Sequence, residues 1–370
     1  MKRMTRPVGL VFLALTCFGS VATKPLSATL QEQEPYPEGL FAELTTPKGV
    51  IVLSLDFRRA PMTVANFVGL AEGTIRNQAV PTGEPFYNNT VFHRVAPGHV
   101  IQAGVPVSDV ASTPGYSLPN EIHPELGHGR AGMVGLANQG PHTGKCQFYI
   151  TLGDRSYLDG DYAVFGEVYD GMDVVRNITP GDPIDEVRIV RVGREAGAFR
   201  PTSESFRQMR REVWRRVRAE EDARARANQD YLEAVYPHAV VTESGWMYVV
   251  IRDGTGTAPN PGDTVMVRYT GRTVRGMAFA SLPESGRPRF FLPGEDQGGI
   301  FPFVVGEDEV NAGFDEAVSQ MRPGERRLVI VPAELGYDPV GFYGRERSGE
   351  PRFVIRPRST LIYEVEVLER

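Results

Sequence analysis

The residues with types and spacing suited to chemistry fall into two ordered groups. The first runs Phe92-His93-Arg94-Val95, Pro97-Gly98 and Gln102, then Gly135-Leu136-Ala137-Asn138, Gln147-Phe148-Tyr149-Ile150, Leu158-Asp159-Gly160 and Val164-Phe165-Gly166. The second runs Val267-Arg268-Tyr269-Thr270-Gly271, Phe301, Phe303, Glu309-Val310, Pro332-Ala333-Glu334-Leu335-Gly336-Tyr337 and Thr360-Leu361-Ile362-Tyr363. Arg94 carries a planar guanidinium that stays charged and donates hydrogen bonds. Alone it would read as a solvated surface charge; the motifs around it give it weight. The aromatics of the second group would each read as core, and their joint order gives them weight too. Other chemistry is set aside. His123 and His128, with four residues between them, and His142 downstream have no cysteine or carboxylate spaced to complete a zinc site, so they read as solvated loop histidines. No phosphate-binding or dinucleotide fingerprint occurs, and no cofactor is implied.

The first group resembles the cyclophilins, the cyclosporin-binding prolyl isomerases, from Tyr36 to Gly193, within a domain read as residues 36–196. The resemblance implies an eight-stranded closed antiparallel β-barrel capped by two helices, with a Xaa-Pro peptide in a surface groove. An amide resists rotation by about 18–20 kcal/mol because its nitrogen lone pair is delocalised into the carbonyl. A donor aimed at the prolyl nitrogen weakens that delocalisation in the twisted state, and the gain counts because it is larger there than in the planar amide. Arg94 is the candidate donor, oriented by Gln102 and Gln147. Phe148 is the expected apolar floor for the proline ring, Leu158 its far wall and Asn138 a peptide anchor; Ala137 and Tyr162 join the peptide contacts. This chain departs from the family at His99, where phenylalanine is usual, at Val100, where methionine is common, and at Tyr162, in place of a frequent histidine. Tyr157 replaces the tryptophan of drug-sensitive members, which predicts weak cyclosporin binding.

The second group resembles the FKBP-type prolyl isomerases from about Thr242 to Arg370. The implied fold is a β half-barrel wrapped on one short helix. Its aromatic walls would exclude water and hold the twisted amide, whose charge separation is smaller than that of the planar form. The positions matching the pocket are Tyr269, Phe279, Phe303, Val310, Phe314, Tyr337, Ile355 and Tyr363. Ala280 stands in place of an aspartate, Phe314 in place of the tryptophan at the pocket base and Asn311 in place of an aliphatic residue, while an insertion from Leu282 to Ile300 enters beside the pocket. Catalysis and client holding are both open for this half.

The elements that must position these residues follow from the pattern. Phe41–Leu44 and Val50–Leu55 flank Pro47-Lys48-Gly49, a hairpin signal. Pro61 opens a helix with Val64, Phe67, Val68 and Ala71 on one face. Short strands and glycine turns follow to Val192, with a second helix at Met172–Asn177. Residues 201–237 change texture: eight arginines stand between Phe206 and Ala227, interleaved with Glu212, Glu220, Glu221 and Asp222. One charged linker helix is predicted, long enough at about 1.5 Å per residue to keep the two grooves apart. Its stripe of Phe206, Met209, Val213 and Val217 must cover a neighbouring domain or a second copy of the chain. Strand patterns return at Trp246–Ile251, Thr264–Tyr269, Arg327–Val331 and Leu361–Leu368, with one short helix at Phe314–Val318. The fold class is therefore mainly β with a few helices.

The 370 residues allow two or three domains, and 46 acidic against 40 basic side chains give a net charge of −6, so no overall basic field draws nucleic acid. Two cysteines, Cys17 and Cys146, rule out a disulfide framework. Lys2, Arg3 and Arg6 precede the apolar run Val8–Thr16, too short to span a bilayer, which reads as a signal peptide over residues 1–22 cleaved after Ala22; a lipid anchor at Cys17 is the alternative. Asn88-Asn89-Thr90 is a glycosylation sequon only in a eukaryotic source. The whole reads as an exported prolyl isomerase acting on unfolded or proline-containing polypeptides, or as a folding chaperone that holds them without catalysis. The oligomeric state is not legible.

Overall fold

The computed structural model describes residues 36–105, 114–274, 276, 278–290, 298–307, 310–345 and 351–369, with 343–345 and 351–353 by backbone alone. The signal segment, Cys17 and Glu309 lie outside the described residues.

The first half is one antiparallel sheet of eight strands, in the order Glu186–Val192, Gly39–Thr46, Gly49–Leu55, Val164–Asp170, Met133–Leu136, Phe148–Thr151, Val100–Ala103 and Arg94–Ala96. The path has two ends, and among the described residues no pairing joins them into the closed circuit expected of a barrel. Inside it lie Leu44, Leu53, Phe67, Tyr87, Phe148 and Phe165, all buried. Helix α1 (Pro61–Ala71) crosses this core and buries every residue from Met62 to Ala71. Proline at its first position needs no N–H partner, but the next amides do, and no side chain of its own caps it. A distant carboxylate supplies the cap. Glu121 Oε1 accepts from the Met62 amide at 3.2 Å, and Oε2 accepts from the Thr63 amide at 2.8 Å. Helix α2 (Met172–Asn177) buries Val175, and α3 (Arg194–Ala198) closes the domain.

Helix α4 (Ser203–Val235) starts at a capping box in which Thr202 and Ser205 satisfy one another's amides. Phe206, Val213 and Val217 are buried in the core of the first half, with Met209 packed at its edge. At the far end Leu232 is buried with Val274, Ile330 and Ile362 of the second half. The helix is thus docked along both halves, as the reading of a connector lying against a neighbouring domain expects. Arg356 of the second half reaches Asp161 of the first directly.

The second half is a sheet in the order Val240–Val241, Met247–Arg252, Arg326–Val331, Leu361–Val367, Thr264–Thr273, Ala278–Ser281 and Pro288–Phe290, with Phe301–Val304 paired to the start of Thr264–Thr273. Helix α5 (Ala312–Ser319) lies in its concave side, where Phe314, Ala317 and Val318 are buried among the sheet residues Val329, Val331 and Tyr363. No helix among the described residues is long and apolar enough to cross a membrane.

Candidate active site

Arg94 and Gln102 face each other across the hairpin formed by Arg94–Ala96 and Val100–Ala103. The hairpin turns at Pro97-Gly98, where φ of +70° at Gly98 favours glycine. Because the two residues are cross-strand partners, their side chains leave the sheet on one face. Arg94 Nη1 donates to Gln102 Oε1 at 3.3 Å, and Gln102 Nε2 donates to Gln147 Oε1 at 2.7 Å. The guanidinium is solvent-exposed and its inner edge is held by two amides in series. This arrangement leaves the other N–H groups free to meet a ligand.

The strand Phe148–Thr151 divides its residues by face. Phe148 is fully buried, with its ring edge-on to Phe67 at 5.4 Å and to Tyr87 at 5.7 Å, so it points into the core rather than into a groove. Tyr149 points the opposite way, as alternation along a strand requires. Its ring meets Tyr162 edge-on at 6.0 Å and stacks on His128 at 6.0 Å. It lies across Gly135, where an added Cβ would sit 2.3 Å from the Tyr149 hydroxyl, so glycine is required there. Phe148, expected as the floor, is therefore core, and Tyr149 is the aromatic that shares the opposite face of the strand with Gln147.

His128 is not a solvated loop residue. It is fully buried, with Nδ1 2.6 Å from Asp159 Oδ1 and Nε2 2.8 Å from the Tyr149 hydroxyl. Burial holds its pKa below the usual histidine value, although Asp159 pulls the other way. His142 is also enclosed: its ring packs on Trp214 at 5.3 Å and its Nε2 lies 3.2 Å from Glu221. His93 is likewise held low by burial. Among the described residues no group of three or more His, Cys, Asp or Glu is placed to hold a metal ion.

The other expected peptide contacts lie on neighbouring segments of the same half. His99 and Tyr157, both departures from the family pattern, stack on each other at 6.3 Å, with the tyrosine hydroxyl 3.3 Å from His99 Nδ1. Val100 is buried beside them in the sheet, while Leu158 and Tyr162 are half-buried. The Ala137 amide donates to the Gln147 carbonyl at 2.8 Å. Both ends of the Asn138 side chain are engaged within the protein: Nδ2 donates to the Asp161 carbonyl at 2.8 Å, and Oδ1 accepts from the Gly140 amide at 3.2 Å.

In the second half Tyr269, Phe279, Phe303, Phe314 and Tyr363 form one aromatic cluster, each at most 1% exposed. Tyr269 is its hub, edge-on to Phe314 and to Tyr363 at 5.2 Å each. Its hydroxyl donates to the Gly286 carbonyl at 2.6 Å, a contact supplied by the insertion. Asn311 caps α5 through the Phe314 amide and donates to the Tyr363 hydroxyl at 2.8 Å, a role no aliphatic residue could fill. Val310 and Ile355 are buried in the same core, and Tyr337 stands at its edge against Phe342 at 5.4 Å, with burial raising its hydroxyl above the usual tyrosine range.

Comparison with known proteins matches both halves. The family model for cyclophilin type peptidyl-prolyl cis-trans isomerase covers residues 41–194, and that for FKBP-type peptidyl-prolyl cis-trans isomerase covers residues 255–368. Peptidyl-prolyl cis-trans isomerase A of Mycobacterium tuberculosis is 43% identical over 133 residues, which is 35% of this chain and 73% of that protein. Isomerase B of Streptomyces anulatus is 42% identical over 135 residues, 35% of this chain and 77% of its own length. The human peptidyl-prolyl cis-trans isomerase-like 1 is 34% identical over 157 residues, 40% and 88% respectively. A solved cyclophilin type isomerase of Cryptosporidium parvum aligns at 28% identity over 42% of this chain and 98% of its own, with a TM-score of 0.34. The chain belongs to the peptidyl-prolyl cis-trans isomerases. It carries a cyclophilin-type domain followed by an FKBP-type domain.

Proposed function

We propose that prolyl isomerisation by this chain is centred on Arg94 and serves the folding of exported polypeptides. The observation that supports it best is the series Arg94, Gln102, Gln147, which aims an exposed, permanently charged donor from a rigid hairpin. A client proline resting on Tyr149, between Leu158 and the His99–Tyr157 pair, would bring its amide within reach of that donor. As the amide twists, its nitrogen regains a lone pair and becomes a better acceptor, so the guanidinium binds the twisted state more tightly than the planar one. No covalent step is needed.

The export assignment rests on Lys2, Arg3 and Arg6 ahead of Val8–Thr16, with Ala22 as the cleavage point or Cys17 as a lipid anchor. Slow prolyl isomerisation limits the folding of many chains, and the cofactor-free chemistry suits a compartment without ATP. The closed barrel that the family resemblance implies belongs to the same reading. The test is turnover of a proline tetrapeptide by the full chain. Arg94→Ala should lower it about a hundredfold, some 2.7 kcal/mol at 1.36 per decade, with the melting temperature preserved. Unchanged turnover would move the active site elsewhere.

A further inference from the structure

The turn at Gly160-Asp161 is shared by three parts of the molecule. On the groove side its Asp161 carbonyl accepts two side-chain amides, Asn138 Nδ2 at 2.8 Å and Asn120 Nδ2 at 2.7 Å. On the other side its carboxylate, with the side chain 12% exposed, takes Arg356 Nη2 at 3.1 Å, and Arg356 belongs to the FKBP-type half. A second connection runs beside the first. The Asn120 amide donates to His142 Nδ1 at 3.0 Å, and the His142 amide donates back to Asn120 Oδ1 at 3.1 Å. A ring whose Nδ1 accepts carries its proton on Nε2, and that nitrogen donates to Glu221 Oε1 of α4 at 3.2 Å. The other oxygen of Glu221 holds the Arg358 guanidinium, again from the FKBP-type half.

The turn continues from the short helix Ser156–Leu158, whose Leu158 carbonyl accepts the Asp161 amide at 3.1 Å and the Tyr162 amide at 3.2 Å. Asp161, His142, Glu221, Arg356 and Arg358 all line one cleft of about 550 Å³ between the two halves and α4. The turn is fixed on one side by its own backbone and Asn120 and on the other by Arg356 across that cleft, and its carbonyl holds Asn138.

We propose that Asp161 is a positioning residue through which the FKBP-type half fixes the peptide grip of the cyclophilin-type groove. Arg356 orients the Asp161 turn, and the turn's carbonyl fixes the Asn138 loop whose main chain meets the client. This rests on the reading that the groove beside Arg94 is the working site. A peptide anchor contacts the planar and the twisted amide alike, so loosening it changes KM and leaves kcat, which depends on Arg94, nearly constant.

The test is tetrapeptide isomerisation by the full-length chain with KM and kcat resolved. Arg356→Ala should raise KM about fivefold, the low end of coupling between sites, with kcat changed less than about twofold; Arg356→Lys should restore most of the loss. Asp161→Asn keeps the side chain's shape and removes its charge, so it should give the same KM shift. Combining it with Arg356→Ala should add nothing, because both remove one contact. An unchanged KM in both single variants, or a fall in kcat at constant KM, overturns the proposal. The Arg94→Ala variant run alongside separates the two readings. If it loses turnover while Arg356→Ala changes nothing, only the coupling is wrong; if it keeps turnover, the groove itself was misassigned.

Discussion

The Tyr149 hydroxyl lies 2.8 Å from His128 Nε2, deep beneath the groove, while His128 Nδ1 is held by Asp159 at 2.6 Å. The Tyr149 ring is thus anchored from behind by a buried polar chain. Tyr149→Phe keeps the face and strands a buried nitrogen. Removing one partner of a buried hydrogen bond costs about 1–3 kcal/mol. The expected outcome is a melting temperature several degrees lower, at roughly 2–4 °C per kcal/mol for a domain of this size, with tetrapeptide kcat close to the parent value. A large loss of kcat at unchanged stability would instead give the hydroxyl a direct part in the reaction.

The same histidine carries a pH dependence. Burial lowers the folded pKa of His128, and also those of His93 and His142. Near pH 6.5 the unfolded chain begins to take up protons that the folded chain refuses. Stability from these three sites is complete above that pH and declines as pH falls from 6.5 toward the lower folded values. Glu121, raised by burial, pulls the other way at lower pH, so the comparison is best made at one site. Melting curves between pH 7.5 and 5.5 should show a falling transition, and His128→Gln should make it shallower. A slope identical in the variant would mean that His128 does not titrate in this window.

Much of the first site was legible because its chemistry sits in short motifs: Arg94, Gln102 and Gln147 are joined as their order suggested. Phe148, expected at the floor, lies in the core, and strand alternation could have shown it, since Gln147 and Tyr149 must share the opposite face. His128 carried no such signal. Its burial depends on Asp159, 31 residues away, folding over it. The stripe on α4 was readable as a face needing cover, which the first half supplies, yet nothing local said that Leu232 would be buried against the second half. Contacts such as Arg356 with Asp161, 195 residues apart, leave no periodicity to read.

Drug sensitivity follows from a second pair. His99 and Tyr157 stack at 6.3 Å with a hydroxyl-to-nitrogen contact of 3.3 Å, so each occupies space and polar capacity beside the groove. A bulky apolar macrocycle bound there would have to displace this stacked, hydrogen-bonded pair. Inhibition of the full chain by cyclosporin is expected to be weak. Titration of tetrapeptide turnover that gave nanomolar inhibition would show that the pair yields at little cost.

The FKBP-type half poses the question of whether a second catalyst operates. Its mechanism needs an apolar ring face open to the proline, since what favours the twisted amide is removal from water. Here Tyr269, Phe279, Phe303, Phe314 and Tyr363 turn their faces and edges to one another, none more than 1% exposed. Two of the polar tips are occupied as well, Tyr269 by the Gly286 carbonyl and Tyr363 by Asn311. A proline ring could enter only by breaking those contacts, which a flexible tetrapeptide has little binding energy to drive. A long unfolded chain has more. The Arg94→Ala full chain is therefore expected to be nearly inactive on the tetrapeptide and to retain at most a few per cent of the parent's acceleration of a proline-limited protein refolding reaction. Refolding acceleration near the parent level in that variant would show that the aromatic cluster opens to clients and that the second domain is the principal catalyst for folding chains.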